Sequence, residues 1–175
     1  MPPLPELKAT ASKTASAPLT PHILVVDDDV AMSEQMERLF SHEGYKVTVA
    51  YRAEQASELL EKEDVDLVVT DVRLPGINGV ELTKRIVERW SDVPVIVVAG
   101  YGDIDTAVEV LKLGASDFLV KPFSAAALHE ATQVGLEKAR LFMEIRHLRH
   151  RLKESPLHRK MQLYSLDKKS FSRHI

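Results

Sequence analysis

The sequence predicts an α/β fold, a five-stranded parallel sheet covered by helices on both faces. Three observations point to it. Runs of aliphatic residues without polar alternation, such as Ile23-Leu24-Val25-Val26 and Leu67-Val68-Val69, read as strands buried on both faces. Between such runs, apolar residues recur at helical spacing. The connections are short, and right-handed crossovers between parallel strands set the helices on the two faces of the sheet.

Residues 1–21, rich in Pro, Ala, Ser and Thr, show neither period and are expected to form a disordered lead-in. His22 to Val26 is the first strand, and it runs into Asp27, Asp28 and Asp29. Met32, Met36, Leu39 and Phe40 mark the first helix, with Gly44 suited to its end. Tyr45 to Ala50 alternates apolar residues with Lys and Thr, as a strand nearer the sheet edge would, and Ala53, Ala56, Leu59 and Leu60 mark the next helix. The third strand ends in Asp71. A loop punctuated by Pro75-Gly76 and Asn78-Gly79 leads to a helix striped by Leu82, Ile86 and Val87 that ends near Trp90. Pro94 opens the fourth strand, Val95 to Ala99. Gly100-Tyr101-Gly102 is a flexible turn, Asp103 is the predicted N-cap of a helix carrying Ile104, Val108 and Leu111, and Gly114 closes that helix. Asp117 to Val120 is a short fifth strand that delivers Lys121-Pro122-Phe123, and Ser124 is suited to cap the last helix. The expected strand order is flavodoxin-like, 2-1-3-4-5, with ligands bound at the carboxyl ends of the strands. That order brings Asp27, Asp28 and Asp71 to one edge, where the end of the fifth strand also delivers Lys121.

Composition sets limits on what the chain does. With 45% hydrophobic and 28% charged residues, 175 residues can bury a real core, which excludes a wholly disordered protein. No apolar run reaches membrane-spanning length, and the amino terminus lacks the apolar block of a secretory signal, so a cytoplasmic protein is expected. The absence of Cys removes disulfides and thiolate chemistry. The net charge of −3 hides a division: residues 1–137 carry twelve Lys/Arg against twenty-three Asp/Glu, a balance of −11, and residues 138–175 carry eleven against three, or +8. An acidic body suits a cation-binding site, and a basic tail suits nucleic acid, an acidic partner or water.

Clustered carboxylates repel one another, so a cation belongs among them. All-oxygen ligands, with no His or Cys at these strand ends, favour Mg²⁺ over zinc or copper. Phosphoryl transfer needs mainly positioning and charge neutralisation, and an Asp nucleophile, a metal and a lysine form a sufficient set. Asp71 would become an aspartyl phosphate and Lys121 would pair with a phosphate oxygen. Taken alone, Asp71 would serve equally well as a cap of the turn that follows it.

Residues 22 to about 136 closely resemble the receiver domain of two-component response regulators, in the segments ILVVDDD, VVTDVRLPGINGVEL, VIVVAGYGD and GASDFLVKPF, in that order and at that spacing. The resemblance implies that Asp71 is the phosphoacceptor. It also implies that Asp28 is a direct Mg²⁺ ligand, Asp27 a ligand mostly through water, the Arg73 carbonyl a further ligand, and the Lys121-Pro122 bond cis. Partners would be a histidine kinase or a phosphotransfer protein. In two positions the chain departs from the family pattern. The fourth strand usually ends in Thr or Ser, whose hydroxyl binds the phosphoryl group; here it ends in Ala99. The aromatic switch position of the fifth strand is Phe118. Backbone N–H groups of Gly100 and Arg73 remain as phosphate donors, but coupling from the phosphoryl group to the fourth helix is expected to be weakened or rewired.

Beyond the receiver, Val134, Lys138, Leu141, Ile145, Leu148 and Leu152 follow alternating steps of four and three, a heptad seam of about three repeats. Residues 137–155 are therefore expected to be a helical extension, either a coiled coil that makes a homodimer or a lone amphipathic helix. Similar extensions dimerise in the nitrogen-regulation class of transcription activators. Residues 156–175 are read as a basic, disordered tail. Direct nucleic-acid binding is not expected, because no recognition motif accompanies the basic residues. The leading reading is thus a signalling receiver and not an enzyme. A phosphorylation-independent adaptor, motivated by Ala99, and a haloacid-dehalogenase-like phosphatase using Asp27 and Asp29 are the alternatives.

Overall fold

Five parallel strands, β1 (His22–Val26), β2 (Lys46–Ala50), β3 (Leu67–Asp71), β4 (Val95–Ala99) and β5 (Asp117–Val120), form one sheet in the order β2-β1-β3-β4-β5 in a computed structural model. It describes residues 20–171, with side chains to residue 164. The expected disorder of residues 1–19 lies outside the described residues, and Thr20-Pro21 leads directly into β1.

Six helices accompany the strands: α1 (Val30–His42), α2 (Ala53–Lys62), α3 (Gly79–Arg89), α4 (Ile104–Leu113), α5 (Ala125–Glu154) and α6 (Pro156–Phe171). The two-residue period of the strands divides the core between them. Leu24, Val26, Val68, Val95, Val97 and Ala99 share one cluster with Ala53, Ala56, Leu82, Ile86 and Val110 from α2, α3 and α4. Ile23, Val25, Leu67, Val69, Ile96 and Val98 share the other with Met36 and Phe40 of α1 and Leu128 and Ala131 of α5. The uninterrupted aliphatic runs are thus two interleaved faces, each covered by helices.

The helices start where short polar side chains satisfy free backbone donors. Asp29 accepts from the Met32 N–H, Asn78 from the Glu81 N–H and Ser124 from the Ala127 N–H. Asp103 departs from its expected role. It stands at the start of α4 but makes no capping bond, because its carboxylate is committed to Arg73.

Beyond the sheet the structure corrects the expected end of the chain. The predicted disordered tail is instead helix α6 across Pro156–Phe171, with residues 172–175 outside the described residues. The reason is local: Ser155 Oγ accepts from the His158 N–H, and Pro156 occupies the first helical position, where its missing donor costs nothing. Helix α5 itself runs thirty residues, about 45 Å at the usual rise, and Arg146 on its extension bonds Asp92 in the loop before β4.

Candidate functional site

Asp27, Asp71 and Lys121 stand at the carboxyl edge of the sheet, Asp71 as the last residue of β3 and the other two just after β1 and β5. The rungs fix their positions: the Asp27 N–H donates to the Ala50 carbonyl, the Val72 N–H to that of Val98 and the Lys121 N–H to that of Ala99. All three residues continue the parity of the face that packs on α1 and α5 (Ile23, Val25 and Asp27; Leu67, Val69 and Asp71; Leu119 and Lys121). Their side chains therefore meet. Lys121 Nζ lies 2.5 Å from Asp71 Oδ2 and 3.5 Å from Asp27 Oδ2.

Hydrogen bonds hold the remaining oxygens. Asp27 Oδ1 accepts from the Asp29 N–H at 2.9 Å, and Asp71 Oδ1 accepts from the Arg73 N–H at 3.0 Å. Asp71 thus makes the turn-closing bond that a lone strand-end Asp would make, in addition to its ion pair. Asp27 is wholly buried, while the Asp71 side chain keeps 10% of its surface open. Burial pushes the Asp27 carboxyl up to about 6, against the Asp29 N–H and Lys121, which pull it down. Burial opposes the charge on Lys121, yet its bonds to Asp71 and Asp27 outweigh that and raise its pKa.

Asp28 is exposed and takes no part in these contacts. One residue on from Asp27, it falls on the opposite parity of the extended chain. The convergence expected of three acids is, in this arrangement, two acids and an ammonium group. Among the described residues no three acids or histidines stand grouped to hold a metal. The donor chemistry still fits a hard cation. Every candidate ligand is an oxygen, and a buried carboxyl as displaced as Asp27 gains from a neighbouring positive charge. Asp27, Asp28, Asp71 and the Arg73 carbonyl are the residues available to such an ion.

Ala99 is wholly buried at the end of β4, opposite Val120, and Phe118 is half-buried against the core on the α3 and α4 side. Neither supplies a hydroxyl. The Lys121-Pro122 peptide is cis. Gly100 opens a single 3₁₀ turn, Tyr101–Asp103, where a flexible strand-to-helix turn was expected.

Two features of the site escaped the sequence. Arg73 donates through Nε and Nη2 to both oxygens of Asp103, at 2.8 and 3.0 Å, linking the turn after β3 to the turn after β4. Gly79, read only as turn punctuation, lets α3 abut the site: a Cβ there would collide with the Asp71 carbonyl oxygen.

The family profile of the response regulator receiver domain matches residues 23–133. The chain belongs to the response regulator receiver family. It is 38% identical over 132 residues to DctD of Pseudomonas aeruginosa, a C4-dicarboxylate transport transcriptional regulatory protein, covering 75% of this chain and 29% of DctD. It is 39% identical over 118 residues to the transcriptional regulatory protein FixJ of Bradyrhizobium diazoefficiens, covering 67% of this chain and 58% of FixJ. The receiver thus spans less than two thirds of either relative. Among solved structures, NtrX from Brucella abortus in complex with ADP superposes with a TM-score of 0.71 at 32% identity, over 74% of this chain and 30% of NtrX. A response regulator receiver domain protein from Clostridium thermocellum gives 0.67 at 27% identity, over 70% of this chain and 98% of that one. Among the described residues no helix of the receiver is long and apolar enough to cross a membrane.

Proposed function

We infer that this receiver accepts a phosphoryl group on Asp71 from a histidine kinase or phosphotransfer protein in the cytoplasm, with Mg²⁺ as cofactor, and signals through protein contacts. The observation that carries the reading is the Asp71 carboxylate, open on one side and held between Lys121 and the Arg73 N–H. In the transfer, an Asp71 oxygen attacks phosphorus as the bond from phosphorus to the donor's imidazole nitrogen breaks, and that nitrogen leaves with the bonding pair. Lys121, already bonded to Asp71, is placed to pair with an oxygen of the incoming group. Asp27 anchors the Lys121 ammonium from the far side. When bound, the Mg²⁺ would supply charge neutralisation to the phosphoryl oxygens. Gly100 offers a further backbone donor.

Treating the full chain with acetyl phosphate and Mg²⁺ and weighing the intact protein tests this. One phosphoryl group is expected on the wild type and none on Asp71→Asn; equal labelling of both would overturn it.

The heptad seam supports a homodimer. Val134, Leu141, Ile145, Leu148 and Leu152 are 45–66% exposed. Counted from Lys138 as position a, Ile145 falls at a, Leu141 and Leu148 at d, Glu144 at g and Arg149 at e. That combination suits two parallel strands, with Glu144 facing Arg149 of a second copy.

A second reading, an adaptor indifferent to phosphorylation, is favoured by Ala99, whose buried methyl offers nothing to a phosphoryl group. Unaltered partner affinity with and without beryllofluoride would support it. Asp29, the second acid of the phosphatase alternative, is engaged in capping α1, which speaks for the receiver reading.

A further inference from the structure

The phosphoryl site has lost a hydroxyl at Ala99, yet a guanidinium is carried by the residue that hydrogen-bonds the acceptor through its backbone. Arg73 is two residues beyond Asp71, and its backbone N–H already binds Asp71 Oδ1. Its guanidinium spans to Asp103 on the turn after β4 and grips both carboxylate oxygens. The planar fork that fits a carboxylate fits a phosphoryl oxyanion equally well. Asp103 therefore occupies the two donors that a phosphoryl group would take, with an anion of lower charge.

We propose that the Arg73 guanidinium is the phosphoryl-recognition group that replaces the hydroxyl missing at Ala99, with Asp103 a positioning residue that holds it until Asp71 is phosphorylated. This rests on the reading of Asp71 as phosphoacceptor. The exchange is purely ionic: Arg73 leaves a monoanionic carboxylate for a phosphoryl group of higher charge, and no covalent bond changes at either residue.

Two observations give the exchange a consequence. Asp103 stands at the N-cap of α4 without capping it, so a released carboxylate has the free N–H groups of α4 as its next partners. The turn that would shift also carries Tyr101, 82% exposed. Losing the Arg73 tether would thus let Asp103 turn onto the start of α4 and carry the exposed aromatic with it, a route from the phosphoryl group to α4 that needs no hydroxyl on β4.

Beryllofluoride with Mg²⁺, titrated into the full chain and followed by amide NMR, tests this. Arg73→Ala is expected to weaken binding about tenfold, the order of a charge-assisted hydrogen bond. Asp103→Ala, which frees the guanidinium from an exposed ion pair, is expected to tighten it about two- to fivefold. The double variant should bind like Arg73→Ala, because Asp103 acts only through Arg73. The Tyr101 and Gly102 amides should move on binding in the wild type and be displaced already in free Asp103→Ala. Wild-type binding that Arg73→Ala leaves unchanged, or a gain from Asp103→Ala that persists without Arg73, would overturn this inference alone. A wild type that binds no beryllofluoride, or an Asp71→Asn variant that binds it undiminished, would overturn the phosphoacceptor reading and this inference with it.

Discussion

At the scale of single residues, the pocket is a destabilising arrangement held together by one lysine. Asp27 is buried, and its folded pKa of about 6 lies above the ordinary 3.8. The folded state therefore binds more protons than the unfolded chain between those values. The stability this confers is fully present below pH 3.8 and is lost as pH rises through 6. In metal-free buffer the wild type should lose about 3 kcal/mol across that window through this group. Asp27→Asn, which keeps an oxygen for the Asp29 N–H, should lack the slope and be the more stable protein near neutral pH. Urea midpoints across the pH range check this, and parallel curves for the two proteins would contradict it. Added Mg²⁺ should narrow the gap by stabilising the wild type alone. Lys121→Ala should work in the opposite sense, because it leaves two acids without their counter-charge, and lower the urea midpoint at neutral pH.

At the scale of elements, the site is three strand ends and the start of one helix. Gly79→Ala forces a methyl into the Asp71 carbonyl and should cost about 1–3 kcal/mol, as overpacking does. It should also slow acetyl phosphate labelling, since the atom displaced belongs to the acceptor itself. Thermal unfolding and intact mass measure the two effects; a variant as stable and as reactive as the wild type would show that α3 does not hold the acceptor. The strands were legible in the sequence because a fully buried parallel strand is an uninterrupted aliphatic run, and the order of Asp27, Asp71 and Lys121 along the chain followed from it. Asp28 was not placed by the same reasoning, since composition makes it the equal of Asp27 and only the parity of the backbone separates them. Arg73 and Asp103 were visible only as a backbone position and a cap. Thirty residues separate them, and no local period joins them. The start of α6 is signalled only locally, by Ser155-Pro156, and is set against a basic, polar composition that reads as an unfolded tail.

At the scale of the whole molecule, the charge division follows the architecture. The acidic excess falls on the sheet and its covering helices, and the basic excess on the extension of α5 and on α6. The seam on α5 leaves the receiver body near Gly135, where a Cβ would strike Leu67, and continues as exposed apolar residues spaced for a second copy. Ile145→Asp with Leu148→Asp should convert a dimer to a monomer in sedimentation while beryllofluoride affinity stays within about twofold, since the seam lies far along α5 from the carboxyl edge. A wild type that sediments as a monomer at high concentration would contradict the seam.

The receiver account depends most on which atom takes the phosphoryl group. Reduction of the acetyl phosphate-treated chain with borohydride turns an aspartyl phosphate into homoserine, which peptide sequencing by mass locates. The account predicts homoserine at Asp71 and nowhere else; homoserine at Asp27 or Asp28, or a labelled chain with Asp71 intact, would contradict it.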